Sequence, residues 1–454
     1  MNLQYRTEKD SLGKIEVPRD ALYGAQTQRA VNNFNIGSLL VPKGFIQSLG
    51  LIKAAAANVN AELGLLDRDV AKAIYDAGME IADGKYVDQF PVNVFQTGSG
   101  TSTNMNVNEV IAALASVQLK KDVHPNDMVN CSQSSNDVIP TAIHLSAQLE
   151  LEEHLLPALE CLKSRIFTKE KALAHQLKTG RTHLMDAMPL SFGQELSGWR
   201  AQLALATTRI SDSQQRLCQI AQGGTAVGTG INAPKEFAAM FAEQLSSLTG
   251  QSFSTADNLF AAVSSMDTAV EMSGQLKTLA VTLLKIANDL RWMNSGPLAG
   301  LDEINLKPLQ PGSSIMPGKI NPVLPEAVAM AAAQVIGNDA TITMAGGSGN
   351  FQLNVMLPII AYNLLQSIEL LSGSCRALGE TIDGFSVNSQ TLEKNLARNP
   401  ILVTALNPDI GYTKAAEIAQ CAYDQNRSIL EVAIEMTVLD SDYLAKLLAP
   451  ENLI

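Results

Sequence analysis

The sequence predicts an all-α, mainly helical chain, and three observations predict it. Alanine and leucine are abundant while aromatic residues make up only 5% of 454 positions, a balance that suits helices better than sheets. Proline is absent between Pro189 and Pro234, between Pro234 and Pro297, and between Pro358 and Pro400, and long proline-free spans are the precondition for long helices. Within the second span, Leu259, Val263, Met266 and Val270 follow at helical steps, and Leu276, Ala280, Leu283, Ala287 and Leu290 continue them. The opposite face carries only Asp267, Lys277, Lys285 and Asp289. A helix so sparsely charged is expected inside a large bundle or at a subunit interface, so an oligomer is expected.

The N-terminal part is more broken. Pro18, Pro42, Pro91 and Pro125 separate shorter helical stretches at 44–65 and 68–83. Asp137-Val-Ile-Pro140 reads as the capped opening of a helical region. After Pro358 a helix is expected through Leu371, followed from Asn388 by a shorter, more polar tail in which Leu439-Asp-Ser-Asp442 reads as a helix cap. No internal repeat, charge block or low-complexity linker interrupts the chain. The expected division is a mixed, mostly helical segment 1–134, a long-helix bundle 135–357, and a small helical segment 358–454.

Apolar residues form 46% of the chain, ample for a core, and the net charge is −12. That acidity argues against nucleic acid and anionic membrane surfaces, which call for basic patches. Cys131, Cys161, Cys218, Cys375 and Cys421 are scattered without a C-x-x-C pair, so the spacing carries no zinc or iron–sulfur signature and suits reduced thiols. No metal or other cofactor is called for. The first ten residues lack the apolar core of a signal peptide, and no apolar run reaches membrane-spanning length. A soluble, cytoplasmic protein is the expectation. An anionic ligand would therefore need a site that is locally positive against an adverse overall field.

The most chemically loaded stretch is Pro311-Gly-Ser-Ser-Ile-Met-Pro-Gly-Lys-Ile-Asn-Pro-Val-Leu-Pro-Glu326. It brings together Ser313, Ser314, Lys319, Asn321 and Glu326, punctuated by glycines that let a ligand approach the main chain. Pro317, Pro322 and Pro325 read as excluding a regular helix through the segment. A polar loop of this kind between helices is better explained as a site than as a connector. Two further clusters, Thr97-Gly-Ser-Gly-Thr101 and Ser134-Ser-Asn136, offer hydroxyls, an amide and unhindered backbone N–H groups that can hold a carboxylate at a helix N-terminus. Either cluster alone would pass for ordinary caps and turns; recurrence beside Asn104 and the loop favours binding. Lys319 and Arg181 supply positive charge. His183, in Gly180-Arg-Thr-His183, is one of only five histidines and a candidate acid–base group.

These stretches also carry a resemblance. Gly312-Ser-Ser-Ile-Met-Pro-Gly-Lys-Ile-Asn321 looks like the signature loop of the fumarase/aspartase superfamily. Thr97–Glu109, His124-Pro-Asn-Asp127, Gln133-Ser-Ser-Asn-Asp137 and Gly180–His183 match that family in order and spacing, and the match runs through Gly411. The class II fumarases, which need no iron, are the most similar. The resemblance implies a three-part subunit whose central bundle assembles as a homotetramer, with each active site shared among subunits and a small dicarboxylate as substrate. It implies Ser313 as the carbon base acting as an alkoxide, His183 paired with Glu326 for the water, and Lys319 stabilising the developing charge. Implied substrate contacts are Ser99, Gly100, Thr101, Ser134, Ser135, Asn136, Thr182, Ser314, Lys319, Ile320 and Asn321.

The family also has a second dicarboxylate site at its His-Pro-Asn-Asp motif, here His124, Pro125, Asn126 and Asp127. A structural loop reads those four residues equally well. The activity implied is hydration of fumarate to (S)-malate. Val323-Leu324-Pro325 departs toward the pattern of aspartases, which eliminate ammonia from aspartate and typically carry glutamine where this chain has His183. A non-catalytic structural member of the superfamily is the third reading; such a protein would have no need of Ser313, His183 and Lys319 together.

Overall fold

The structure, a computed structural model, describes residues 4–454; the first three positions of the expected N-terminal segment lie outside the described residues. Helix dominates, and the strands among the described residues form only two-stranded sheets. The chain divides into two compact units. Four long helices, Phe192–Leu217, Asp267–Met293, Val323–Gly346 and Leu357–Gly384, have residues in both. With 24 to 28 residues each, they run roughly 40 Å.

The first unit comprises the chain up to Pro157 with Thr207–Ala280 and Ala332–Ser372. It opens with the hairpin Tyr5–Asp10/Gly13–Pro18 and continues through helices Lys43–Glu62 and Arg68–Ala82, close to the stretches expected. Leu49, Ile52, Ile74, Val107, Ile111 and Ile139 are fully buried in its core. Helix Ser135–Glu150 starts two residues before Asp137. Its cap is Ser134, and Asp137 completes a reciprocal capping box by accepting from the Ser134 N–H at 2.9 Å. Pro140, expected near a helix start, lies inside this helix.

The periodic face Leu276, Ala280, Leu283, Ala287 and Leu290 is fully buried, as the spacing predicts. The expected helix from Leu259 to Leu290 is not continuous, however. It breaks into Leu259–Ser264 and Asp267–Met293 at Ser265, whose backbone is extended. The Ser265 hydroxyl accepts from the Asp267 N–H at 3.2 Å, a local bond that competes with the helix ladder. Apolar period alone does not register such a break.

The second unit comprises Ala158–Ala206, Val281–Ala331 and Gly373–Ile454. It contains the hairpin Leu177–Thr182/Met185–Ser191 and the loop leading into helix Val323–Gly346. The helix after Pro358 is longer than expected and runs to Gly384. Beyond it, Leu402, Leu406, Ile418, Val432 and Leu444 share a core. Asn388 caps helix Ser389–Ala397 and Asp440 caps Ser441–Leu448, matching the cap read at 439–442.

Candidate active site

In the first unit, the two Ser/Thr/Gly clusters become the N-termini of neighbouring helices. Gly100, with φ of 72°, caps helix Thr101–Leu119 in a left-handed conformation that suits glycine. The Ser99 and Thr101 hydroxyls lie 2.8 Å apart. The second helix docks on the first through Asn104, whose Nδ2 donates to Ser135 Oγ at 2.9 Å. Both helix N-termini and their hydroxyls thus lie at one polar patch, where the positive ends of two helix dipoles favour an anion. The Ser102, Thr103 and Asn136 N–H groups there are taken by Thr97, Gln96 and Ser134. Asn136 donates from its amide to the Ala226 carbonyl at 2.8 Å.

Beneath this patch lies a polar cluster that no motif announces. Lys53, wholly buried in an alanine-rich helix, donates to Asn130 Oδ1 and Gln133 Oε1 at 3.0 Å each. Burial lowers its pKa to about 7, and Asp137 acts in the opposite sense. Asp137 is buried too; burial raises it to about 6 although the N–H groups of Ser134, Gly223 and Thr225 donate to it. Gly98 ties the same region together: its carbonyl accepts from the Leu357 N–H at 2.9 Å. A Cβ there would stand 1.7 Å from the Val355 oxygen. Gly98→Ala is therefore expected to cost about 3 kcal/mol, the upper end of overpacking penalties. A urea midpoint equal to the parent's would contradict that.

His124 to Asp127 form a capped turn. The His124 Nδ1 accepts from the Asp127 N–H at 3.1 Å, and Pro125–Val129 make a turn of π-helix. His124, Asn126 and Asp127 are exposed.

In the second unit, the loop folds on itself. The Gly312 N–H donates to the Lys319 carbonyl at 2.9 Å, and Asn321 Nδ2 donates to the Gly312 carbonyl at 2.6 Å. A side chain at Gly312 would meet the Lys319 oxygen at 2.4 Å, so only glycine permits this closure. The closed loop aims two backbone N–H groups, of Ile315 and Met316, at Ser313 Oγ, at 3.3 and 3.1 Å. Two donors on one hydroxyl oxygen favour its anionic form. Lys319 Nζ reaches Asn321 Oδ1 at 2.6 Å. Ser314, Lys319 and Ile320 are exposed.

The loop ends sooner than the prolines suggested. Helix Val323–Gly346 includes Pro325 and Glu326 in its first turn, where a missing N–H costs nothing because those donors have no partner inside the helix. Lys319, Asn321 and Glu326 line one cavity of about 1000 Å³ together with Asn288, Arg291 and Asn294. These last three, on and just after a long helix, carried no motif by which to find them.

Thr182 and His183 stand at the exposed tip of the hairpin, where Thr182 pairs with Met185. His183 and Leu184 both adopt left-handed backbones, φ of 57° and 62°. Histidine tolerates that conformation better than most side chains but leucine does not, and such strain persists at functional sites. Arg181, expected to offer charge to a ligand, instead donates to Glu303 at 2.7 Å. Glu303 is 1% exposed and also pairs with the buried Lys178 at 2.9 Å. Neither the His183 nor the Glu326 side chain has a hydrogen-bond or ion-pair partner among the described residues, so one chain does not form the pair between them.

The comparisons with known proteins agree with this architecture. The family described as lyase matches residues 13–337, and that described as fumarase C C-terminus matches 402–454, which defines the chain as a lyase-family protein. It is 59% identical to "Fumarate hydratase class II 2" of Pseudomonas aeruginosa, over 99% of this chain and 98% of that one. It is 45% identical to "Fumarate hydratase class II" of Bacillus subtilis, over 100% and 99%. The crystal structure of recombinant class II fumarase from Schistosoma mansoni superposes with a TM-score of 0.97 at 38% identity, over 99% of each chain. The chain belongs to the class II fumarase family of the fumarase/aspartase superfamily.

Proposed function

We propose that this protein is a fumarate hydratase, catalysing reversible anti addition of water to fumarate to give (S)-malate through an aci-carboxylate. The observation that carries the assignment to a working enzyme is the pair of N–H groups aimed at Ser313 Oγ. A serine hydroxyl is far too weak an acid to serve as a carbon base unless its alkoxide is stabilised. In the elimination direction the Ser313 alkoxide takes the proton from the carbon beside one carboxylate, and the electron pair moves into that carboxylate. Lys319 and Asn321 stabilise the resulting dianion. The C–O bond then breaks as His183 hands a proton to the departing hydroxide, which leaves as water. Glu326, facing His183, fixes its tautomer. Ser99, Gly100, Thr101, Ser134, Ser135, Asn136 and Thr182, with Ser314 and Ile320 of the loop, complete the substrate contacts. His124 to Asp127 form the family's second dicarboxylate site.

Because His183 and Glu326 do not meet within a chain, the site is shared between copies in a homotetramer. Helix Val323–Gly346 supports that assembly. Its exposed residues are Ala327, Met330, Ala333, Ile336, Gly337, Ala340 and Met344, with Gln334, Thr341 and Thr343 the polar ones and no charge. Small and apolar residues at helical spacing are what a neighbouring helix packs against. No helix among the described residues is long and apolar enough to cross a membrane, and we place the protein in the cytoplasm.

The test follows the ultraviolet band of fumarate with purified protein, first in buffer and then with ammonia added. Loss of the band in buffer alone, with malate formed, is expected. Loss only with ammonia would make the protein an aspartate ammonia-lyase, and no loss in either would leave the structural reading.

A further inference from the structure

We propose that Lys53 is a positioning residue for the dicarboxylate subsite: a buried cation that sets the donor direction of Ser135 and places positive charge under the bound carboxylate. This rests on the reading that Ser134, Ser135 and Asn136 take one end of the substrate. The mechanism above does not use Lys53, yet burying an ammonium group is costly unless it is well partnered. Its partners form a directed chain. An ammonium has three donors and no acceptor, so Asn130 and Gln133 must both turn their oxygens toward it, at 3.0 Å.

Asn130 Oδ1, held that way, also receives the Nδ2 groups of Asn104 and Asn108, each at 3.2 Å. Asn104 must therefore present nitrogen rather than oxygen, and the same nitrogen donates to Ser135 Oγ at 2.9 Å. With its oxygen already accepting, Ser135 has its own proton free for a ligand. The Asn130 Nδ2 also donates to the Gln133 carbonyl at 3.1 Å, so Lys53 and that carbonyl together fix, two amides away, that Ser135 offers a donor to an incoming carboxylate. Deprotonation would remove the charge and weaken the hold on both amide oxygens, while the backbone carbonyls of Gln133, Val129 and Cys131 still accept from the amide nitrogens.

The charged group acting on Lys53 is Asp137, from helix Ser135–Glu150; no titratable side chain of the neighbouring helices Arg68–Ala82, Thr101–Leu119 or Phe237–Thr249 does. Dicarboxylate affinity is therefore expected to fall as pH rises through about 7, where Lys53 loses its proton. The ligand's own carboxyls are ionised throughout that range.

The probe is succinate, which binds as a diacid but cannot react, measured as a competitive inhibitor between pH 6.5 and 8.5. Its inhibition constant is expected to rise roughly tenfold across the range in the parent, the effect of losing one nearby charge at moderate effective dielectric. In Lys53→Met the step near 7 should be lost and binding should be weak throughout, with any residual slope at the acid end belonging to Asp137. KM for fumarate should rise with kcat little changed, a split that simple loss of folded protein would not produce. If Lys53→Met does not fold, calorimetric succinate binding to His183→Asn decides: the pH step must survive there, and its disappearance would assign the step to His183 and overturn the proposal. A flat parent profile would overturn it too. Ser135→Ala separates the premises. Unchanged succinate binding in that variant sinks the subsite reading itself, whereas weaker binding there beside an unaltered Lys53→Met sinks only the role of Lys53.

Discussion

Ser313→Ala is expected to lower kcat for fumarate hydration by about 10³-fold, within the range assigned to a positioned acid or base, while KM shifts only a few-fold. The serine contributes little to holding the loop, because the closure runs through Gly312, Lys319 and Asn321. What alanine removes is the oxygen toward which the Ile315 and Met316 N–H groups point. Those donors are worth most when the oxygen is charged, so their geometry favours the alkoxide over the alcohol. Steady-state kinetics in both directions measure the effect. A variant within tenfold of the parent would move the carbon base elsewhere, with Ser314 next to be tested.

Glu303→Gln should cost about 3–5 kcal/mol of stability, the range found when one partner of a buried ion pair is removed. Glu303 is 1% exposed and joins Lys178 and Arg181, both on the strand that leads to His183. Lys178 keeps Glu195 at 2.7 Å in the variant, but Arg181 loses its only carboxylate among the described residues. The backbone of Glu303 also anchors this stretch, accepting from the Asn388 N–H at 2.9 Å and donating to the Met293 carbonyl at 2.8 Å. The variant is expected to unfold at lower urea and to lose kcat, since the hairpin tip carrying His183 is then less firmly held. Unchanged denaturation would show the network to be replaceable by neutral hydrogen bonds.

Much of this was legible in the residues themselves. Period four-three-four along Leu276 to Leu290 marks a buried helical face because a helix buries whichever stripe recurs near 3.6 residues. Asp137 marked the helix start two residues late, because the cap is Ser134 and Asp137 is the partner three residues on that closes the capping box. Prolines misled where position within the helix mattered more than identity: Pro325 falls where no N–H is needed, and Pro140 is tolerated inside its helix.

Lys53 was invisible for a different reason. In Lys53-Ala-Ala-Ala-Ala57 it reads as one solvated charge on a helix, and its partners lie 77 and 80 residues away. The left-handed turn at His183-Leu184 was equally hidden, since leucine rarely adopts positive φ and the pair lacks the Asn-Gly or Asp-Gly signal of such turns. Arg181 read as free charge because its partner Glu303 lies 122 residues on.

The most direct test of the account mixes two inactive proteins. Subunits of His183→Asn and Ser313→Ala, dissociated together and reassembled at equal ratio, should regain about one quarter of parent activity, the chance that a shared site draws both groups from intact copies. Each variant treated alone should stay inactive. If the mixture recovers nothing while the parent reassembles fully, the imidazole and the serine act within one chain, and the shared site proposed here is wrong.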